Sequence, residues 1–248
     1  MSAHHASPTG APRTEPIPVH ERLIVALDVP DIAKAKALVE RLDDTVTFYK
    51  LGLELAASGR YFELLDWLLA RDKRVFADWK LYDIPATVAA AVRQLAGCGA
   101  SLLTVHGDRA IMEAAAEHQG DSLKVLAVTV LTSIGQDDLK AMGIEMSVDE
   151  LTLLRASQAV AAGCDGIIAS GLEVEALRAR IGRNALIVTP GIRPKNAAGG
   201  DDQKRIVTAE QSFKAGADYI VVGRPIRQAP DPYAAAAAFQ DEIAAVFR

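Results

Sequence analysis

Alternation between short β-branched runs and alanine-rich segments is the feature of this chain that most restricts its fold. From Arg22 onward, eight runs rich in Val, Ile and Leu each precede a segment with the periodicity of an amphipathic helix. Strands that alternate with helices form parallel sheets, because each crossover helix returns the chain to the same end of the sheet. Eight such units match a closed barrel, whereas a doubly wound sheet usually has fewer strands. The predicted fold class is therefore α/β, a single (β/α)8 TIM barrel with its active site at the C-terminal ends of the strands.

The bounds of the predicted elements follow from the positions of these runs. The strands are predicted at 23–28, 46–52, 74–80, 101–107, 123–132, 166–170, 186–191 and 218–223. Pro30 and Pro85 stand where a first helical turn would begin. Two connections exceed ordinary loop length: 133–147 is predicted to hold a small extra helix, and 193–205 to form a cover over the active site.

Length and composition fit a barrel with a short leading segment. Residues 1–20 are rich in Pro, Gly, Ser and Thr, so we expect a disordered tail, followed by a barrel catalytic domain over 21–248. With 27 Lys and Arg against 32 Asp and Glu, the net charge is −5, which does not favour a nucleic-acid partner. There is no apolar run typical of a signal peptide or a membrane span, and the two cysteines lack CxxC or ligand spacing. These features predict a cytoplasmic protein with no membrane partner.

Charged residues stand at the C-terminal ends of several predicted strands. Asp28 ends the first strand, Lys50 lies near the end of the second, and Asp78 and Lys80 end the third. In an eight-fold barrel these ends form one mouth, and a spacing of two places Asp78 and Lys80 on the same face of their strand. Ionised groups on apolar strands lose hydration, and pairing with opposite charges offsets the cost of that loss. Lys50 is therefore predicted to complete an alternating array of charges.

Each of these charges also has a purely structural interpretation. Asp28 and Asp83 each precede a predicted helix and can act as its N-cap. Lys50 and Lys80 can extend their ammonium groups from the strand ends into water. The presence of all these charges at one end of one barrel favours a functional site over four separate explanations.

The loops after the seventh and eighth strands indicate a phosphate site. The sequences PGIRP and VVGRP place Arg193 and Arg224 on neighbouring loops, beside Gly223, and Gln203 adds a neutral donor from the predicted cover. Loops in these positions hold phosphate in many barrels, and arginine offers forked donors that match a phosphate group. For either arginine alone, an ordinary surface charge is the alternative.

The motifs of the chain, taken in order, resemble those of one enzyme family. The segment DWKLYDIPATV contains the D-x-K-x-x-D signature of the orotidine 5′-monophosphate decarboxylase family. The segments ALDVP, YKLGLEL, AVTVLTS, TPGIRP, GGDDQKRI and VVGRPI look like the other motifs of that family, on the corresponding strands. The resemblance extends over residues 22–248. It implies conversion of orotidine 5′-monophosphate to UMP and CO₂ in de novo pyrimidine biosynthesis, with neither a metal nor an organic cofactor.

The resemblance also implies a role for each charged residue. Lys80 would stabilise a developing carbanion at C6 of the pyrimidine and then protonate it. Asp78 would lie near the substrate carboxylate and keep Lys80 oriented and charged. Lys50 would pair with Asp78 and reach the ribose, while Asp28 would accept a hydrogen bond from a ribose hydroxyl.

The same resemblance implies further contacts around the substrate. Asp83, Ile84 and Thr87 would be supplied by the neighbouring subunit, so a homodimer with a shared active site is expected. Thr132, at the end of the predicted fifth strand, would contact the base or the ribose, with Ser133 a weaker candidate. A buried threonine bonded to the backbone is the alternative interpretation of Thr132.

Two other functions fit parts of the pattern. A Mg²⁺-dependent sugar-phosphate decarboxylase, similar to 3-keto-L-gulonate 6-phosphate decarboxylase, shares the D-x-K-x-x-D signature, but Lys50 would repel a divalent ion in the same pocket. A barrel that binds phosphate without catalysis is the second alternative.

His106 is interpreted as a structural histidine, with acid–base chemistry as its alternative. The chain has no P-loop, dinucleotide-binding or zinc-ligand motif, so ATP, NAD and zinc are not predicted.

Overall fold

Eight parallel strands close into a barrel in the computed structural model, which describes residues 16–194 and 207–248. The strands are β1 (Leu23–Ala26), β2 (Phe48–Leu51), β3 (Arg74–Leu81), β4 (Leu102–His106), β5 (Lys124–Val128), β6 (Gly166–Ile168), β7 (Leu186–Thr189) and β8 (Tyr219–Val222). Each strand pairs with its neighbours in the sequence, and β8 pairs with β1. The predicted (β/α)8 barrel is confirmed.

Helices cover the outside of this barrel. They are α1 (Ile32–Leu42), α2 (Leu53–Ala57), α3 (Tyr61–Leu69), α4 (Pro85–Ala96), α5 (Arg109–His118), α6 (Gln136–Ala141), α7 (Val148–Ala161), α8 (Val174–Ile181), α9 (Ala209–Ala215), α10 (Arg224–Arg227) and α11 (Pro232–Val246). The buried residues of α1 recur every three or four positions, which turns one apolar stripe toward the strands. Within the two described ranges, none of the helices is long and apolar enough to cross a membrane.

The connections agree with the sequence in part. The extra helix predicted within 133–147 is α6, and Pro85 is the first residue of α4, as predicted. Pro30 instead precedes the start of α1 by two residues, because the N-cap of this helix is Asp31. The cover predicted at 193–205 lies outside the described residues, except for its first two positions.

Seven of the eight strands are shorter than the sequence predicts, mainly at their C-terminal ends, whereas β3 extends one residue further, to Leu81. β1 ends at Ala26, two residues before the predicted end, and β5 ends at Val128, four residues before it. The residues after these points still have a composition typical of strands. A strand ends, however, where its ladder of backbone hydrogen bonds ends. Thr132 therefore lies on a loop and not at the end of a strand.

Side-chain alternation divides the barrel interior into an apolar floor and a polar layer above it. The floor includes the inward-facing residues Ile24, Phe48, Phe76, Leu102, Leu126, Leu186 and Tyr219. Residues two positions further along a strand point in the same direction. Lys50, Asp78 and Thr104 each follow a floor residue by two positions, so the period of the strands places them directly above the floor.

The segment before β1 closes the opposite end of the barrel. Ile17 packs against the apolar floor, and Val19–Glu21 form a short 3-10 turn. Glu21 pairs with Arg74, whose guanidinium lies 4.3 Å from the ring centroid of Phe48. The sequence assigns residues 16–20 to the tail. In the structure they lie against the barrel, because Ile17 and Val19 pack against its buried residues. Residues 1–15 lie outside the described part of the chain.

Candidate active site

Four charged side chains from three neighbouring strand ends form one continuous network at the barrel mouth. Lys50 Nζ lies 3.0 Å from Asp28 Oδ1 and 3.2 Å from Asp78 Oδ2. Asp78 Oδ1 in turn lies 2.8 Å from Lys80 Nζ. A Cβ atom at Gly52 would stand 3.1 Å from both Asp28 Oδ1 and Lys50 Nζ, so the absence of a side chain there leaves room for the pair. The predicted alternating array is present, with signs in the order minus, plus, minus, plus.

Mutual attraction stabilises these charges against the cost of their burial. Burial by itself raises the pKa of Asp78, but the ammonium groups of Lys50 and Lys80 outweigh it and hold this pKa below its usual value. Burial lowers the pKa of Lys50, and the attraction of Asp78 and Asp28 outweighs it, so this pKa lies above its usual value. Two carboxylates balance two ammonium groups, and the network as a whole carries no net charge.

The backbone of β3 is irregular where the network lies. Lys80 has φ of 48°, in the left-handed region that a residue with a side chain rarely adopts. The pairing of β3 with β4 shifts between Ala77 and Leu81, so the two strands lose their regular ladder over this stretch. Such a conformation costs on the order of 1–3 kcal/mol and persists only where its surroundings enforce it. It brings the ammonium group of Lys80 back onto Asp78.

The network forms one wall of a cavity of about 480 Å³, a volume within the usual range for small-molecule sites. The side chain of Lys80 is 32% exposed and that of Asp78 is 11% exposed, so Lys80 is the more accessible of the two. Apolar residues line another part of the cavity, namely Val128, Val130, Leu131, Ile168 and Val221. The cavity thus combines a charged wall with apolar surface that can cover a flat ring.

The predicted phosphate-binding residues lie on the same cavity. Arg193, Gly223 and Arg224 all line it, on the loops that follow β7 and β8. Arg227, one turn after Arg224, adds a third arginine that the sequence analysis missed. Gln203 lies outside the described residues. The three arginines place positively charged donors on this part of the cavity, which suits a dianion.

Three structural interpretations of the charged residues are wrong. Asp28 does not cap α1, because Asp31 does so by accepting a 2.8 Å hydrogen bond from the backbone of Lys34. Lys50 is not extended into water, because its ammonium group is held between two carboxylates. The N-cap role considered for Asp83 is also absent, since the capping residue of α4 is Ile84 and no side chain caps this helix.

The residues expected from a neighbouring subunit lie apart from this cavity. Asp83, Ile84 and Thr87 are all exposed and do not line it, and Asp83 Oδ1 accepts a 2.6 Å hydrogen bond from the backbone N–H of Ile84. Thr132 lines the cavity from the loop after β5, whereas Ser133 does not. Within one subunit, the structure therefore brings together Thr132 and the charged network but not Asp83 or Thr87.

His106 lies at the end of β4, outside the cavity lining. Its ring contacts that of Tyr82 at a tilt of 44°, with centroids 4.4 Å apart, and its Nδ1 lies 3.5 Å from Asp108 Oδ2. Burial lowers its pKa, so the neutral form is favoured at neutral pH. These contacts fit the structural interpretation of this histidine.

One further polar residue supports the network without lining the cavity. Thr104 is fully buried, and its hydroxyl lies 2.9 Å from Asp78 Oδ1. The sequence analysis missed it, because a threonine within the strand LLTVH is an ordinary β-former. Among residues 16–194 and 207–248, no cluster of three or more His, Cys, Asp or Glu side chains is arranged to hold a metal.

Fold and site together define a (β/α)8-barrel enzyme with a charged small-molecule cavity at the C-terminal ends of its strands. The family profile described as "Orotidine 5'-phosphate decarboxylase / HUMPS family" matches residues 21–239. The chain belongs to this family.

Individual relatives agree with the family profile. The chain is 57% identical over 233 residues to an orotidine 5′-phosphate decarboxylase of Methylococcus capsulatus, covering 94% of this chain and 96% of the relative. It is 56% identical over 231 residues to the enzyme of the same name from Xanthomonas euvesicatoria, covering 93% and 95%. The crystal structure of orotidine 5′-phosphate decarboxylase from Lactobacillus acidophilus superposes with a TM-score of 0.79 at 34% identity, covering 90% of this chain and 99% of that one. The resemblance seen in the sequence motifs is thereby confirmed.

Proposed function

We propose that this protein is a carboxy-lyase that converts orotidine 5′-monophosphate to UMP and CO₂. Family membership and relatives at 57% identity with this name support the reaction. The observation that carries the proposal is the Lys50–Asp78–Lys80 network on one wall of the cavity. It places an ammonium group, fixed by a carboxylate, where a reacting carbon can meet it.

The substrate fits the cavity in one orientation. Its phosphate would contact Arg193 and Arg224, its ribose hydroxyls would reach Asp28 and Lys50, and its pyrimidine would lie beside Lys80. Thr132 would contact the base or the ribose from the loop after β5. The arginines follow β7 and β8 while the charged network lies at the ends of β1, β2 and β3, and this arrangement around one cavity supports the orientation.

In the proposed reaction, the bond between C6 and the substrate carboxylate breaks, CO₂ leaves, and the electron pair stays on C6. The ammonium group of Lys80 stabilises this pair and then donates its proton to form the C6–H bond of UMP. Neutral Lys80 afterwards takes a proton from water. Because Asp78 and Lys50 already fix the position of Lys80, little reorganisation is needed when the negative charge develops.

A divalent cation is less compatible with this arrangement than an ammonium group. The Mg²⁺-dependent alternative needs the D-x-K-x-x-D carboxylates to bind the ion, but Lys50 already lies between Asp28 and Asp78. A fixed positive charge in that position repels a second cation. This observation favours the metal-independent reaction.

Decarboxylation in the presence of a chelator tests this proposal. We expect the purified protein to decarboxylate orotidine 5′-monophosphate at the same rate with and without EDTA, followed by the change in pyrimidine absorbance. Activity that EDTA abolishes and Mg²⁺ restores would support the metal-dependent alternative. Binding of UMP without any turnover would instead support the non-catalytic barrel.

Arg224→Ala tests the proposed phosphate contact. We expect KM to rise by about two orders of magnitude, because a hydrogen bond to a charged group contributes roughly 1.5–3 kcal/mol. The quantity to measure is KM, by steady-state kinetics. Orotidine, which lacks the phosphate, should react at a rate that is insensitive to the substitution.

A matched arginine provides the control for this variant. Arg71 stacks on Trp67 at 3.8 Å and lies outside the cavity, so Arg71→Ala should leave KM unchanged. If Arg224→Ala affected orotidine and its phosphate ester equally, Arg224 would not contact the phosphate.

The proposed enzyme is a homodimer in which each subunit completes the other's active site. Asp83 and Thr87 would reach the partner's cavity, in line with their full exposure on the isolated subunit. Tyr82 and Ile84, on either side of Asp83, are each 66% exposed, which is unusual for large apolar side chains next to one another. A second copy of the chain would cover them.

A further inference from the structure

Thr104 makes two hydrogen bonds that join the reacting parts of the network. Its Oγ1 atom donates to Asp78 Oδ1 at 2.9 Å and accepts from the backbone N–H of Lys80, also at 2.9 Å. The residue is fully buried on β4 and does not line the cavity. Thr104 therefore contacts both proposed catalytic residues without access to the substrate.

Hydrogen-bond chemistry fixes the direction of both bonds. A backbone N–H can only donate, so the hydroxyl oxygen must accept from Lys80 and its own proton remains available. An ionised carboxylate can only accept, so Asp78 Oδ1 accepts the hydrogen bond that this O–H group donates. The single hydroxyl thus favours the ionised form of Asp78 and connects it to the main chain of Lys80.

The position of Thr104 coincides with the irregularity in β3. Ala77 pairs with Leu103, and Leu81 pairs with Val105. Three residues of β3, 78–80, therefore lie opposite the single residue Thr104. The N–H of Lys80 has lost its regular ladder position, and the side chain of Thr104 supplies its acceptor. This bond holds Lys80 in the left-handed conformation that returns its ammonium group to Asp78.

We propose that Thr104 is a positioning residue that aligns the Lys80 ammonium and the Asp78 carboxylate for protonation at C6. The proposal rests on the function proposed above. It concerns the hydroxyl of Thr104 and not the volume of its side chain, because both contacts are made by Oγ1.

Two substitutions at this position separate the hydroxyl from the packing. Thr104→Val keeps the shape but removes the hydroxyl, and we expect kcat to fall by about 10- to 100-fold with KM changed by less than about threefold. Thr104→Ser keeps the hydroxyl, and we expect kcat within about threefold of the unchanged protein. The pH dependence of kcat should move toward higher pH on its acid side in Thr104→Val, since Asp78 loses a donor to its ionised form.

Thr129→Val is the matched control. Thr129 is also a fully buried threonine, and its hydroxyl donates to the carbonyl of Ile168 at 3.0 Å, away from the charged network. This variant loses one buried hydrogen bond of the same kind and should keep kcat. Equal losses of kcat in Thr129→Val and Thr104→Val would indicate a general structural effect and would overturn the proposal.

A crystal structure of Thr104→Val separates this proposal from the proposed function. We expect the Lys80 backbone to leave the left-handed region and the contact between Lys80 Nζ and Asp78 Oδ1 to lengthen beyond 3.5 Å, about the limit of a hydrogen bond. This readout needs no turnover. If the unchanged protein failed to decarboxylate, the proposed function would fail while the structural effect remained measurable. An unmoved Lys80 together with an unchanged kcat would refute the role of Thr104.

Discussion

Lys80→Ala should abolish decarboxylation while the nucleotide still binds. We expect kcat to fall by about four orders of magnitude or more, because the variant loses both the proposed proton donor and the positive charge that would lie nearest to C6. UMP should bind with an affinity close to that of the unchanged protein, since the proposed phosphate contacts at Arg193 and Arg224 would remain. Single-turnover kinetics and calorimetric titration with UMP measure these two quantities.

The variant is expected to fold, so its inactivity can be interpreted. Asp78 keeps two of its three partners, Lys50 at 3.2 Å and Thr104 at 2.9 Å, and no unpaired buried charge results. Lys214→Ala is a suitable control, because Lys214 pairs with Glu210 on the exposed surface of α9. Retention of turnover in Lys80→Ala would show that another group protonates the product.

A mixture of two inactive variants should regain activity if the active site is shared. Lys80→Ala subunits supply an intact Asp83, and Asp83→Ala subunits supply an intact Lys80. Each mixed dimer then contains one site with both residues and one with neither. Random exchange of equal amounts makes half of the dimers mixed, so we expect about a quarter of the original activity. Steady-state rates before and after co-refolding measure this recovery.

A second mixture distinguishes a shared site from a general effect of mixing. Lys80 and Arg224 would belong to the same subunit's cavity, so mixing Lys80→Ala with Arg224→Ala leaves every dimer without an intact site. At a substrate concentration far below the raised KM of Arg224→Ala, no recovery is expected in that mixture. If the first mixture also stayed inactive although mixed dimers formed, Asp83 would not act across the interface.

The features of the fold that depend on a repeating pattern of residues were predicted best from the sequence. Eight strand and helix pairs were enough to predict the barrel, and the period of two along each strand predicted that Asp78 and Lys80 would meet. Strand ends were less accurate, since Thr132 has the composition of a strand but lies beyond the last ladder bond of β5. Residues 16–20 were assigned to the tail because two isolated apolar residues give no periodic signal.

Other features depend on contacts that the sequence does not display. Asp28 and Asp31 are equally plausible N-caps by residue type, and only the start of α1 decides between them. The left-handed conformation of Lys80 has no signal either, because it is imposed by a register shift between β3 and β4. The proposed role of Thr104 can be recognised only when the structure shows that this residue lies opposite the register shift between β3 and β4.

The apolar floor of the barrel has a consequence for the catalytic cycle. Ile24, Phe48 and Phe76 fill the interior beneath the charged network and separate it from the lower end of the barrel. In the proposed reaction, replacement protons for Lys80 would therefore arrive through the upper opening, by which UMP would also depart. Reprotonation of Lys80 and release of the product would then depend on the same opening. Lys80 would regain its proton only after solvent has entered there.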